Sequence, residues 1–97
     1  MQLDALKPED FEPLIGGVLV LEVPGGAVDC ELTQVRRLAP HSVRAQPPFA
    51  LILRGPRSRP FAQGTYPLRH PEHGRLELFV VPLGPDPAGL CYEITFN

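Results

Sequence analysis

The sequence has no apolar run long enough to cross a membrane and no basic residue at its start. The most apolar early stretch, 14–23, is interrupted by Gly16, Gly17 and Glu22, whereas a transmembrane helix needs about 20 mainly apolar residues. Met1–Asp4 lacks the positive charge of a secretory signal peptide. We therefore expect neither a signal peptide nor a membrane span, and we predict a cytoplasmic protein.

Cysteine is scarce, since the chain contains only Cys30 and Cys91. Both fall within predicted strands, and neither has a histidine or a second cysteine at the spacing of a zinc site. Reduced cysteine is commonly buried as a small apolar residue. We therefore predict two free thiols. A disulfide would require their two strands to be neighbours, which the sequence alone does not show.

The motifs of nucleotide binding and serine hydrolysis are missing. Gly25 and Gly26 follow Pro24 in a turn between two strands, whereas phosphate-binding glycines stand between a strand and a helix. Neither serine lies in a Gly-x-Ser-x-Gly elbow. Ser42 adjoins His41, but neighbouring side chains point apart in an extended chain. We predict no catalytic residue, no cofactor and no enzymatic activity.

The best metal-like cluster is His-Pro-Glu-His at 70–73. Two imidazoles and a carboxylate could chelate one ion in a tight turn, but a third fixed ligand is missing. The alternative is a hairpin turn in which Pro71 sets φ, Gly74 supplies a positive φ, and His70 and His73 are solvated. We favour the turn and predict no metal site.

Thirteen prolines and nine glycines are present, in small clusters. They divide the apolar residues into short stretches, most of which alternate apolar with polar, and this pattern is typical of strands. We predict one all-β domain over 1–97, a compact antiparallel six-stranded barrel or two-sheet sandwich. The predicted strands are Val18–Val23, Val28–Leu38, Phe49–Arg54, Gly64–His70, Leu76–Val81 and Leu90–Phe96.

Three local features refine this fold. Pro8, at a first helical position, and Gly16, at a C-terminal one, predict a short N-terminal helix within 6–16, at about 8–15. A change of phase near Thr33 and Gln34 predicts a bulge. Pro67 favours an edge strand, because proline cannot donate to a ladder.

Two predicted strands are apolar on both faces. In the third strand Ala50 and Ile52 stand behind the leucines, and in the fifth Phe79 and Val81 do so. A second apolar face must be covered, either by the N-terminal helix or by a partner subunit. We favour the helix, but Ile52, Phe79 and Val81 also form a candidate protein-binding face, and the chain a candidate homo-oligomer.

Charge is segregated along the chain. Residues 1–35 carry seven acids against Lys7, and residues 36–75 carry eight arginines against one acid. Such blocks either attract a charged partner or neutralise each other across a sheet, and we favour neutralisation. Arg36 and Arg37 point to opposite faces of a strand, so we predict no nucleic-acid partner.

The segment 54–61, Arg-Gly-Pro-Arg-Ser-Arg-Pro-Phe, is the strongest candidate for a contact surface, and we call it the arginine loop. Its prolines stiffen a loop that presents Arg54, Arg57 and Arg59 beside Phe61, and guanidinium groups bind carboxylates and phosphates. The alternative is a solvated loop whose arginines pair with acids of the first half. A second loop at 39–48 also offers space for function.

Three motifs span the chain: Leu-Lys-x-x-Asp-Phe-x-Pro-Leu-x-Gly at 6–16, Phe-x-Leu-x-x-x-Gly-Pro at 49–56, and Tyr-Glu-x-x-Phe-Asn at 92–97. Together they resemble a family of small, uncharacterised bacterial all-β proteins, in which serine or threonine is common where Lys7 stands here. The resemblance implies no reaction and no catalytic residue. It implies a structural or assembly role near phage-tail-collar-like proteins.

Two functions follow. The first is a non-catalytic structural or adaptor module that binds a protein partner, and the second is a small-ligand binder or small enzyme that uses the barrel interior. We favour the first, because the predicted interior side chains would leave little cavity. These side chains are Leu51, Leu53, Leu78, Val80, Tyr92 and Ile94.

Overall fold

The computed structural model describes residues 6–38 and 48–96, which form a closed antiparallel barrel. Its strands are β1 (Val18–Val23), β2 (Gly26–Arg37), β3 (Phe49–Gly55), β4 (Gly64–His70), β5 (Gly74–Asp86) and β6 (Gly89–Phe96). Their order around the barrel is β1-β2-β3-β6-β5-β4. The all-β prediction is confirmed, and of the two predicted architectures the structure is the barrel and not the sandwich. The loop at 39–48, with His41 and Ser42, lies outside the described residues except for Pro48.

The longest strand, β5, runs well beyond its predicted end at Val81. A register shift between Pro82 and Gly84 interrupts the pairing with β6, and Gly84 has a φ of +121° that other residues rarely adopt. This bulge lets the strand continue past Pro82 and form a hairpin with β6. A second shift, between Leu32 and Gln34, confirms the predicted bulge in β2.

The predicted helix is present as two consecutive 3₁₀ turns, Pro8–Asp10 and Glu12–Leu14. Pro13 lacks the N–H that an α-helix would bond four residues back, so the segment adopts the tighter turn. The Asp10 carboxylate accepts a hydrogen bond from the backbone N–H of Lys7 at 2.8 Å. Asp10 thus satisfies a free donor at a helix start that has no serine or threonine cap.

Phe11 closes one end of the barrel. Its ring centroid lies 6.0 Å from that of Phe49, 5.7 Å from that of Phe96 and 5.0 Å from that of His70. Leu6 is also part of the core. The expectation that this segment covers the outer face of β3 and β5 is therefore wrong, because the fully buried side chains of Leu6 and Phe11 belong to the core inside the barrel.

The interior is filled by side chains. The six predicted interior residues, from Leu51 to Ile94, are all buried in one hydrophobic cluster with residues of the other strands. Among the described residues every buried side-chain nitrogen and oxygen has a hydrogen-bond partner. No helix in this part of the chain is long and apolar enough to cross a membrane.

Pro67 does not mark a free edge, because β1 and β4 close the barrel through Val20–Arg69 and Leu21–Leu68. The N–H of Leu32 donates to the carbonyl of Gly17, so alternation along β1 directs the backbone groups of Val20 toward β4. On β4 the groups of Arg69 and Pro67 then face β1. The missing N–H of Pro67 leaves the β4–β5 ladder intact and lies where the β1–β4 pairing stops.

Candidate functional site

The arginine loop leaves the barrel at the end of β3, and the side chain of Arg54, its first residue, is held by two carboxylates. The Nε and Nη2 atoms of Arg54 both lie 2.9 Å from Oδ2 of Asp86, and its Nη1 lies 3.4 Å from Oε1 of Glu31. Two N–H groups on one carboxylate oxygen hold the guanidinium in a defined orientation. Arg54 therefore has a structural role, and its charge is paired with Asp86 and Glu31.

Asp86 organises this end of the barrel. Its Oδ1 accepts hydrogen bonds from the backbone N–H groups of Ala88 and Gly89, both at 2.8 Å, and its Oδ2 accepts one from the Cys91 thiol at 3.3 Å. The hydrogen bond from Arg54 is the largest cause that lowers the pKa of Asp86 to about 2. Asp86 is not among the site residues predicted from the sequence, although Asp-Pro-Ala-Gly is a turn in which aspartate bonds the backbone that follows it.

The Asp86→Asn variant is expected to be less stable than wild type near neutral pH, because it lacks the stabilisation that the Asp86 carboxylate provides there. Because the folded pKa of Asp86, about 2, lies below its ordinary 3.8, the carboxylate stabilises the fold above the ordinary pKa. This contribution disappears as pH falls from about 4 to about 2. Urea midpoints of the two proteins should differ most near neutral pH and converge toward pH 2. Parallel curves would contradict this role, since the other acids are common to both proteins.

Phe61, the last residue of the arginine loop, is held by contacts with two aromatic rings. Its ring stacks on Tyr92, with centroids 4.1 Å apart and an angle of 4° between the planes, and meets Tyr66 edge-on at 5.3 Å. The Tyr66 hydroxyl donates to the carbonyl of Ala62 at 2.6 Å. Phe61 is therefore packed against the barrel and is not presented to a partner.

Arg57 and Arg59 lie between these fixed ends, and both are exposed. The backbone N–H of Arg59 donates to the carbonyl of Pro56 at 3.2 Å, which closes a turn. The Arg57 guanidinium donates to the backbone carbonyl of Asp86. Within 6–38 and 48–96, neither arginine forms an ion pair with a carboxylate. The loop thus holds two uncompensated cations on a fixed turn.

Other arginines pair with acids of the first half of the chain, as expected. The pairs are Arg37 with Glu9 and Glu12, Arg54 with Glu31, and Arg69 and Arg75 with Glu22. Internal neutralisation is therefore confirmed for these residues. In the arginine loop, Arg57 and Arg59 are the two arginines that have no acidic partner within the part of the chain that the structure describes.

The candidate apolar face is only partly exposed. Ile52 is buried, Val81 is half-buried, and Phe79 is 51% exposed. Ile52 and Val81 both pair with Glu93 of β6, one from each side. Ile52, Glu93 and Val81 therefore form one row across the outer wall, with Phe79 two residues further along β5. Glu93 is not among the site residues predicted from the sequence, because its position beside Ile52 and Val81 depends on the strand order.

The histidine cluster is a turn, but His70 is buried and not solvated as expected. Its Nε2 lies 2.7 Å from the carbonyl of Asp10, and its Nδ1 accepts hydrogen bonds from the backbone N–H groups of Glu72 and His73 at 3.0 and 3.1 Å. Nε2 therefore carries the proton. Because both nitrogens are occupied, His70 joins the turn to the N-terminal segment and has no lone pair for a metal.

Both cysteines are free thiols, as predicted. Cys30 is in the core, whereas Cys91 is on the wall, and β3 separates their strands. Burial raises the pKa of Cys30 to about 11, and burial followed by the Asp86 contact raises the pKa of Cys91. Raised pKa values suppress the thiolate, so the structure gives neither thiol the environment of a nucleophile.

Comparison with known proteins gives a family and no function. A search of curated proteins and a search of solved structures found no match. A family model described as a domain of unknown function, DUF6916, matches residues 6–96. That match includes every strand of the barrel and the whole arginine loop. The chain therefore belongs to the family of the domain of unknown function DUF6916.

Proposed function

We propose that this chain is a non-catalytic adaptor or structural module that binds a protein partner through the arginine loop. One observation carries the proposal: Arg54 and Phe61 fix the two ends of a loop that holds Arg57 and Arg59 exposed and without carboxylate partners. A loop ordered before binding loses less conformational entropy in the complex. The partner that fits is an acidic protein segment, since guanidinium groups bind carboxylates in pairs of hydrogen bonds.

We also propose a setting, which the family resemblance supports: assembly beside phage-tail-like structures in the bacterial cytoplasm. The two free thiols support a reducing compartment. The alternative, a small-ligand-binding barrel or small enzyme, is weaker because apolar side chains occupy the interior and because the thiols have raised pKa values.

The test is an affinity capture from the native host with two matched baits. The Arg57→Gln/Arg59→Gln variant should lose the partner that wild type captures, by at least about tenfold, because removing one partner from a close charge pair costs more than the 1.4 kcal/mol that a tenfold change represents. Quantitative mass spectrometry of the captured proteins measures this loss.

The matched control is Arg36→Gln. Arg36 is also exposed, and among the described residues its side chain bonds only to Gln34, but it lies on β2 and outside the arginine loop. This bait should capture the partner as wild type does. Equal recovery with all three baits would show that the arginine loop does not bind the partner. Loss of the partner with both variants would indicate a general effect of charge and would contradict the proposal.

A further inference from the structure

The outer wall of β5 and β6 carries acids among exposed apolar residues. Phe79 is 51% exposed, and it stands between Glu77 and Val81 on the outward side of β5, since Leu78 and its neighbours of the same phase face the core. Glu93 lies beside Val81 on β6. We call Glu77, Phe79, Val81 and Glu93 the acidic wall.

Glu93 is the uncompensated charge of this wall. It is half-buried between Ile52 and Val81, and among the described residues it forms no ion pair, whereas Glu77 has Arg75 at 3.9 Å. A carboxylate beside apolar side chains is stabilised by a cation that brings little water with it. Arginine suits this position better than lysine, because guanidinium is more weakly hydrated and also binds aromatic faces such as that of Phe79.

The arginine loop of the same protein supplies that chemistry. Arg57 and Arg59 have no carboxylate partner in the described residues, and Pro56 and Pro60 add apolar surface without mobile side chains. Within the described residues the two surfaces do not meet in one chain: Arg54 and Phe61 hold the ends of the loop, and the Arg57 guanidinium donates to the carbonyl of Asp86. Glu93 lies on the wall, three residues along β6 from the Leu90 position that pairs with Gly55.

We propose that the partner is a second copy of this chain, whose arginine loop docks on the acidic wall of its neighbour, with Arg57 and Arg59 against Glu93 and Phe79. This inference rests on the proposed function of the arginine loop and names its partner. The contact joins two different surfaces, so a pair of copies joined by one such contact keeps one free loop and one free wall. Such head-to-tail contacts produce rings or open filaments.

Sedimentation equilibrium of the purified protein tests the assembly. At low salt the average mass of wild type should rise with concentration beyond that of a dimer. The rise should be suppressed in 1 M salt, where charges are screened beyond about 3 Å. A wild-type protein that stays monomeric at millimolar concentration, or whose mass stops at a dimer, would overturn the inference.

Two variants locate the contact. The loop variant, Arg57→Gln/Arg59→Gln, and the wall variant, Phe79→Ala/Glu93→Gln, should each remain monomeric, with melting transitions that show them folded. Their equimolar mixture should form a 1:1 heterodimer and nothing larger, because only one loop and one wall remain intact. Arg36→Gln should assemble as wild type does.

A mixture that stays monomeric, or a variant that assembles alone, contradicts the contact. The outcome is separable from that of the host capture. If wild type does not self-associate but Arg57→Gln/Arg59→Gln loses a different host protein, the loop binds a partner and the partner is not a second copy.

Discussion

Removal of residues 93–97 is expected to abolish the cooperative unfolding of this protein. Residues 93–96 belong to β6, which pairs with β3 on one side and with β5 on the other. Phe96 stacks on Phe49 with centroids 4.4 Å apart, and Ile94 is buried in the core. Truncating one buried phenylalanine costs about 3–5 kcal/mol, while a small domain is stable by only about 5–15 kcal/mol.

Circular dichroism during thermal melting measures this outcome. The shortened chain should give no sigmoidal transition, since loss of β6 opens the barrel between β3 and β5. Thr95→Ala is the control, because the Thr95 side chain is exposed and its loss should change stability by no more than about 0.5 kcal/mol. A retained sigmoidal transition in the truncated chain would mean that β6 is dispensable.

Gly89→Ala is expected to destabilise the fold by about 3 kcal/mol, at the upper end of the usual cost of overpacking. A Cβ at this position would lie 2.5 Å from the carbonyl oxygen of Gly55 and 3.0 Å from Cγ of Arg54. The first contact is with backbone, so a rotamer change cannot relieve it. The substitution should also displace Arg54 from Asp86 and release the beginning of the arginine loop.

Gly64→Ala is the matched control. Neither glycine has a positive φ, but a Cβ at Gly64 would meet only the side chain of Tyr66, at 3.2 Å, which is able to shift by a few tenths of an ångström. Urea unfolding should place Gly64→Ala within about 1 kcal/mol of wild type, because the reduced freedom of the unfolded chain offsets the crowding. Similar midpoints for the two variants would show that the Gly89 contact relaxes without cost.

The local features of the fold could be predicted because they depend on neighbours in sequence. Pro24 to Gly26 and the glycine at 74 terminate strands by their own backbone preferences, and the alternation from Tyr92 to Phe96 identifies a strand with one dry face. The change of phase near Thr33 locates a bulge for the same reason. Pro67 does occupy a position where no backbone N–H is needed, as predicted. The strand is nevertheless not an edge strand, because two residue pairs join β4 to β1 and close the barrel.

The candidate site could be predicted only in part. The cluster of arginines is visible in the sequence, but which of them is free depends on residues far along the chain. Asp86 is 32 residues from Arg54 and pairs with its guanidinium, while Tyr92 stacks on Phe61. His70 was expected in solvent because its partner, the carbonyl of Asp10, is 60 residues away.

The sequence by itself determined an all-β domain, its strands and turns, two free thiols and a positive loop stiffened by proline. These properties arise from short-range preferences and from composition, so they can be predicted without knowing any tertiary contact. Only the tertiary structure decided that the barrel closes, that Phe11 enters its end, that Arg57 and Arg59 have no carboxylate partner within 6–38 and 48–96, and that Glu93 faces outward between Ile52 and Val81. Each of those outcomes depends on strand order, which fixes the neighbours of every side chain and which a single sequence does not encode locally.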